Sequence, residues 1–422
     1  MLKPARAWWR ARRRARRRAA IEAEVRRQGS RPSAEGVLVL APGPVGSLGD
    51  EAMLRTVRRV LREGGESRIG LASFTTDEDW ERAGPWTARV AVGDWLSRGD
   101  LSQYATFARA VVQYRGFLVL GADVLDGAYS EIRSEGRLAL ASLAAAAGVH
   151  TEIVGFSYRD QPGPRALRAL RDLHPDVVLR AREATSAARV RAHTGRTVHE
   201  SADLAFLLEP ELASDEGRAL AEWMEAARGR GDTVLGFNLN PSPVRGEAEG
   251  PTRLVDAYGR ALGALLERDP GLVVVGFIHD VRSEHGELAA LAEVVRRLDP
   301  WRDRVRTAPP AASAAEIKAL AGRTDAVLSG RMHLAIAALG SGVPVAALQY
   351  QGKFEGLFGA FGLDGLMLEP VAALEPGRLE ALLRSLLERR DDATTAVAAA
   401  LPEARRRART NLGAFLPTAT PS

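Results

Sequence analysis

Cysteine is absent from the 422 residues. That excludes disulfide staples, thiolate zinc sites, iron–sulfur clusters and cysteine nucleophiles. Lysine is nearly absent as well: Lys3, Lys318 and Lys353 stand beside 55 arginines. This is the mark of a GC-rich coding sequence, so arginine counts carry little weight and each retained lysine draws attention. No apolar run reaches the roughly 18 residues that a membrane span needs. The longest candidate, Leu138–Val149, is Ala-rich and reads as a buried helix. No basic-then-apolar export signal opens the chain, and the expectation is a cytoplasmic protein.

Charge is unevenly placed. The formal net charge is +5, yet the first 35 residues carry one Lys and 11 Arg against three Glu, a net of +9. Residues 36–422 hold 46 basic and 50 acidic side chains, a net of −4. The basic segment 1–35 also contains Trp8, Trp9 and the runs Arg12–Arg14 and Arg16–Arg18. Two readings stand: a solvated, partly helical extension, or an electrostatic clamp on the anionic inner face of a membrane with the tryptophans at headgroup level. No nucleic-acid partner is expected, because the body offers no second basic, aromatic-rich face. With 46% apolar and 26% charged residues, the body has the balance of a globular chain long enough for two ordinary domains.

From Gly36 onward, short apolar runs alternate with longer periodic segments. Val37–Ala41, Phe117–Leu120, Glu152–Phe156 and Val177–Leu179 read as strands buried on both faces. Glu51–Leu61, Ser102–Tyr114, Ser130–Ala147, Arg165–Leu173 and Glu183–Ala192 read as helices between them. After an acidic bridge over Glu209–Asp232 the alternation restarts. Thr233–Asn238, Leu272–Ile278, Ala326–Leu328 and Val343–Leu348 predict strands; Arg253–Glu267, Glu284–Leu298, Ser313–Ala321 and Met332–Leu339 predict helices. Ser313 and Glu316 have capping-box spacing. The fold class is therefore α/β, with two doubly wound domains facing across a cleft: an extension over 1–35, domains over 36–225 and 226–390, and a helix and tail over 391–422.

Three constellations could carry chemistry. The turn Pro42–Ala52 holds Gly43, Gly46, Ser47, Gly49, Asp50 and Glu51 between a strand and a helix. Its glycines allow close backbone approach and would leave helix N–H groups for an anion, although the P-loop ending is missing. Asp50 and Glu51 also suit a helix N-terminus for structural reasons alone. The second, Gly121–Gly127, places Asp123 and Asp126 at a strand end, as acid–base or acceptor-binding groups or simply as turn formers. The third is Ser329-Gly330-Arg331-Met332-His333, with Lys353 following the next strand. An Arg and a His at a helix entrance, backed by Lys353, predict a cationic pocket for a small multiply charged anion. His279 ends a strand and could touch ligand. Neither His279/His285 nor His193/His199 has a metal-ligand spacing, and no metal is expected.

Together these segments resemble the polysaccharide pyruvyl transferase family. Gly46-Ser47-Leu48-Gly49-Asp50-Glu51-Ala52 is similar to its opening Gly-x-x-Gly-Asp-Glu-Ala loop, and Arg182–Ser186 to its Arg-Asp-x-x-Ser element. Ser329–His333 is similar to its Ser-x-Arg-x-His signature. Gly121-Ala122-Asp123 departs from a glycine triplet common in the family, and Glu183 replaces Asp. The resemblance implies a glycosyltransferase-B-like pair of Rossmann-type domains. It also implies transfer of the carboxyvinyl unit of phosphoenolpyruvate to a saccharide hydroxyl, with no cofactor beyond that donor. Arg331, Lys353, Ser329 and Arg182 would bind the donor, and His333 would be the acid–base residue, with Asp50 or Asp123 as the base. Gly46, Ser47, Gly49, Glu51, Asp126 and His279 would line the acceptor side. The alternative is a nucleotide-sugar glycosyltransferase of the same architecture, or a silent binding member of the family.

Overall fold

The computed structural model describes residues 16, 18–25, 35–77, 80–282, 286–350, 352 and 354–416. Lys353 and His285 lie outside them, as does most of the basic segment 1–35. The described residues divide into two compact units. One is drawn from Met1–Val45, Val57–Ala202 and Thr410–Ser422, the other from Gly46–Thr56 and Asp203–Arg409.

The first unit is built on a parallel sheet of β1 (Val37–Leu40), β2 (Ile69–Ser73), β3 (Ala88–Ala91), β4 (Gly116–Ala122), β5 (His150–Phe156), β6 (Val178–Ala181) and β7 (His199–Glu200). The order is β3-β2-β1-β4-β5-β6-β7. Val37, Leu38, Val39 and Leu40 are all fully buried, as a strand covered by helices on both faces requires. Helices such as Leu101–Val111 and Glu131–Ala146 supply the cover on the face of Leu38 and Leu40, through Phe107, Val111, Leu138 and Leu140. The described helical stretch 18–25 lies on this unit, with Ile21 and Val25 packed against its core. Tyr104 donates its hydroxyl to Glu22 at 2.8 Å, and the Arg18 guanidinium sits 5.5 Å from the Tyr104 ring.

The second unit repeats the plan with β8 (Thr233–Phe237), β9 (Leu272–Gly276), β10 (Val305–Thr307), β11 (Ala326–Ser329), β12 (Val345–Leu348) and β13 (Met367–Leu368). All pairings are again parallel, in the order β10-β9-β8-β11-β12-β13. Each sheet reverses its winding once, between β1 and β4 and between β8 and β11. Open α/β sheets bind ligands at the carboxyl ends of the strands at such a reversal.

The division falls at Ala202/Asp203, ahead of the boundary anticipated at 225/226. The helix Asp215–Gly229 goes with the second sheet because Ser214, at its start, donates N–H and Oγ to Glu316 at 2.9 and 2.6 Å. Ser313 does cap the helix Ala314–Ala321, accepting the Glu316 N–H. The Glu316 carboxylate spans to the neighbouring helix instead of closing a capping box. Lys318 is structural: it is buried, and its Nζ donates to the carbonyls of Ala205 and Phe206, both at 3.1 Å. Among the described residues no helix is long and apolar enough to cross a membrane.

Candidate active site

The second unit gathers its chemistry where its sheet reverses. Asn238 and Asn240 follow β8, His279 and Asp280 follow β9, and Arg331 and His333 follow β11. Ser329 shapes the turn: fully buried, it donates Oγ to the Arg331 carbonyl at 2.6 Å and accepts the Arg331 N–H at 3.2 Å. Arg331 itself occupies the cap position of the helix Met332–Leu339, with extended φ and ψ of −131° and 133°. It therefore leaves the entry turn while His333 leaves the first helical turn. Gly330 is required by space, since a Cβ there would stand 2.8 Å from the Asn240 nitrogen.

Glu287, the first residue of the helix Glu287–Arg297, is 1% exposed. Its Oε2 accepts from Asn238 Nδ2 at 3.0 Å, His279 N at 2.9 Å and Asp280 N at 3.3 Å, and its Oε1 accepts from Arg331 Nε. Burial outweighs the pull of Arg331 and of the N–H donors and raises this carboxyl's pKa. Among the described residues its hydrogen-bond partners are all donors, an arrangement that a carboxylate satisfies and a carboxylic acid does not. Burial disfavours the Arg331 cation, but Glu287, Tyr350 and Asp280 outweigh it and raise the guanidinium pKa. Arg331 Nη2 lies 3.7 Å from Asp280 Oδ2 and is buried without a hydrogen-bond partner among the described residues. Asp280 is held by Arg282, whose Nε donates to Oδ1 at 2.8 Å and whose Nη2 donates to Oδ2. The excess of positive charge anticipated here is thus a balance: two guanidinium groups face two buried carboxylates, because unpaired buried charge is too costly.

His333 completes the cluster. Its Nε2 lies 3.4 Å from Asp203 Oδ2 and makes no hydrogen bond within the described residues. The other Asp203 oxygen accepts the Ala205 N–H at 2.8 Å, which fixes the carboxylate. The His279 ring stacks on that of His333, with centroids 6.3 Å apart and planes 9° apart. Burial, then the neighbouring His333 and Arg331, push His279 down to about 3, so it is neutral at any working pH.

The glycine loop belongs to this cluster but works differently from the anticipated anion cradle. Gly46 O accepts the Val281 N–H at 2.9 Å, Leu48 N donates to His279 O at 3.1 Å, and Ser47 bridges to Asp280. Ser47 Oγ accepts the Asp50 N–H at 3.3 Å, and Ser47 O takes that of Glu51 at 3.1 Å. The N–H groups of Leu48, Asp50 and Glu51 are therefore used by the protein. A Cβ on Gly49 would overlap the His333 side chain, and one on Gly46 (φ +118°) would meet Arg282 Cγ at 2.5 Å. Glu51 is buried and accepts the Ala314 N–H at 2.9 Å, capping the helix Ala314–Ala321. Asp50 is 8% exposed, and its charge helps hold Arg282 protonated.

The remaining predicted residues belong to the first unit. Arg182 Nε donates to Ser157 Oγ at 2.7 Å and lies 3.6 Å from Glu183 Oε2. Ser186 donates to Glu183 and accepts the Tyr158 N–H at 2.7 Å. Asp126 is buried and organises its loop, accepting the N–H groups of Ala128 and Arg159 at 2.9 and 3.2 Å. Asp123 accepts from the Tyr129 hydroxyl at 2.8 Å, and Ala122 before it takes a φ of +41°, the backbone a glycine would adopt freely. Asp203 and Glu287 are absent from the sequence reading. An acid immediately before the apolar run 204–208 is a capping signal that could have pointed to Asp203. Glu287 gave none, since an acid in a first helical turn ordinarily faces solvent.

Residues 48–352 match the family model described as polysaccharide pyruvyl transferase. The chain is similar to the amylovoran biosynthesis protein AmsJ of Erwinia amylovora, 23% identical over 214 residues, which is 50% of this chain and 51% of that protein. The match thus spans about half of that curated relative. Among solved structures, Anabaena Alr3699/HepE in complex with UDP and glucose is 17% identical with a TM-score of 0.53, covering 89% of this chain and 96% of that one. A putative UDP-N-acetylglucosamine 2-epimerase from Listeria monocytogenes is 12% identical with a TM-score of 0.58, covering 89% and 94%. At these identities the structural likeness establishes the two-domain, glycosyltransferase-B-like fold and carries no nucleotide to this chain.

Proposed function

Because the chain belongs to the polysaccharide pyruvyl transferase family, we propose that it transfers the carboxyvinyl group of phosphoenolpyruvate to hydroxyls of a saccharide and releases phosphate. The observation that carries this reading is a pair of buried nitrogens at one helix entrance, Arg331 Nη2 and His333 Nε2, that make no hydrogen bond among the described residues. A guanidinium fixed at Nε keeps its Nη2 hydrogens for a carboxylate or phosphate oxygen. The His333 imidazole, whose Nε2 faces the buried Asp203 carboxylate at 3.4 Å, is a group that can give and take a proton.

In this reading His333 delivers a proton to the methylene carbon as a sugar oxygen bonds to the neighbouring carbon. Phosphate leaves that carbon, and a second hydroxyl of the same sugar bonds in its place to close a ketal. Of the two hydroxyl protons, one replaces that drawn from His333 and the other leaves with phosphate. The Asp203 carboxylate beside Nε2 is the counter-charge to the protonated His333, neutral His279 stacks on the ring, and Asp50 or Asp123 takes a hydroxyl proton. Arg182 and Lys353 are further candidates for the anionic groups. Ser329 acts through the turn that carries Arg331. An anionic membrane surface is the proposed partner of segment 1–35.

The test is phosphate release from phosphoenolpyruvate across a panel of saccharide acceptors. Release is expected only with an acceptor, and His333→Ala should lower it at least 100-fold, within the usual range for a general acid–base group. A rate within a few-fold of the parent would remove His333 from the chemistry.

A further inference from the structure

We infer that Glu287 is a positioning residue of this site: one buried carboxylate that fixes the Arg331 guanidinium and joins the carboxyl ends of β8, β9 and β11. The inference rests on the phosphoenolpyruvate reading for its kinetic readout. Its donors come from three separate strand ends: Asn238 Nδ2 after β8, His279 N and Asp280 N after β9, and Arg331 Nε after β11. Among the described residues Glu287 is the one side chain that hydrogen-bonds the Arg331 guanidinium. Asp280 stands farther off: its Oδ2 lies 3.7 Å from Arg331 Nη2, beyond hydrogen-bond reach, and both its oxygens also accept from Arg282.

Burying a charge this completely is not a route to stability. An apolar side chain of similar volume commonly does as well or better there. What the carboxylate supplies is direction. With Nε anchored, the guanidinium plane resists turning about its last torsion, and Nη2, which makes no hydrogen bond among the described residues, is held in one place before any substrate arrives. Positioning of this kind lowers the ordering that binding must otherwise impose. Glu287 would thus govern donor binding without touching the donor, while having no part in acceptor binding.

Glu287→Gln keeps the volume but turns an N–H toward donors and removes the charge facing Arg331. With the full chain and a saccharide acceptor, KM for phosphoenolpyruvate should rise tenfold or more, while KM for the acceptor stays within twofold. In an Arg331→Ala background the same change should add less than twofold, because the partner is already gone. A purely structural role would lower kcat or the unfolding temperature without separating the two KM values. Glu287→Asp keeps the charge on a shorter arm and provides the readout if Glu287→Gln does not fold; its KM for phosphoenolpyruvate should rise by a smaller factor. Parent activity with an unchanged donor KM in the folded variants overturns the inference and leaves the transfer reading standing. Absence of acceptor-dependent phosphate release from the parent removes the transfer reading and this inference with it.

Discussion

Gly49→Ala asks whether the glycine loop serves a ligand or serves His333. Gly49 has no positive φ, so the substitution brings no backbone strain and acts through one added methyl. That methyl would stand 2.9 Å from His333 Cβ and nearer still to the ring atoms Cγ and Nδ1. Ordinary carbon contacts lie at about 3.5–4.0 Å, so the imidazole must retreat by an amount on the order of 1 Å. A displacement of that size at a reacting group costs roughly 100-fold in rate. The packing cost of the extra methyl is about 1–3 kcal/mol, which in a domain of about 200 residues lowers the unfolding temperature by roughly 2–4 °C per kcal/mol. The expected pattern is a folded variant with kcat down by about two orders of magnitude in acceptor-dependent phosphate release. Gly229→Ala, where a Cβ meets nothing within 4 Å, is the control and should leave the rate unchanged. A Gly49→Ala enzyme of normal kcat but raised acceptor KM would refute this account and return the loop to ligand binding.

Further outcomes follow from single contacts. His279 is pushed down to about 3, so the unfolded chain binds one more proton than the fold between that pH and about 6.5. Stability should be complete above about pH 6.5 and fall by about 1.4 kcal/mol per pH unit toward pH 3. Urea unfolding of His279→Asn across pH 4–7 should show that slope reduced by one proton; an unchanged slope contradicts a neutral buried His279. Ala122→Gly should be neutral or stabilising by up to about 1 kcal/mol, because Ala122 already adopts a positive φ, whereas a loss beyond about 1 kcal/mol in thermal unfolding counts against that backbone. Lys318→Met should cost about 1–3 kcal/mol by stranding the Ala205 and Phe206 carbonyls, with kcat and KM of the folded enzyme unchanged.

The strands legible in the sequence were those with apolar runs: β1, β4 and β9 are buried throughout and β8 in all but Thr233, and β5, β6, β11 and β12 were legible in the same way. β2 and β3 were missed because Gly70 and Arg89 interrupt short runs, and β7, β10 and β13 because two or three residues make no pattern. The handover at Ser329–His333 was legible because a buried strand ends there in polar residues before a helix. What surrounds it was not. The antiparallel bridge from Ser47 to Asp280 joins stretches far apart in the chain, and nothing local encodes it. The charge of Arg331 was legible, and its pairing was not, since Glu287 looks like any acid at a helix start. Composition likewise marked Lys318 for attention without telling that its ammonium is spent on two carbonyls.

The most direct test of the transfer itself is mass spectrometry of a saccharide acceptor after incubation with the enzyme and phosphoenolpyruvate. A three-carbon carboxylated unit on the sugar, formed by the parent and absent with His333→Ala, is the predicted result. An acceptor that stays unmodified while phosphoenolpyruvate is consumed, or modification that persists without His333, contradicts the account.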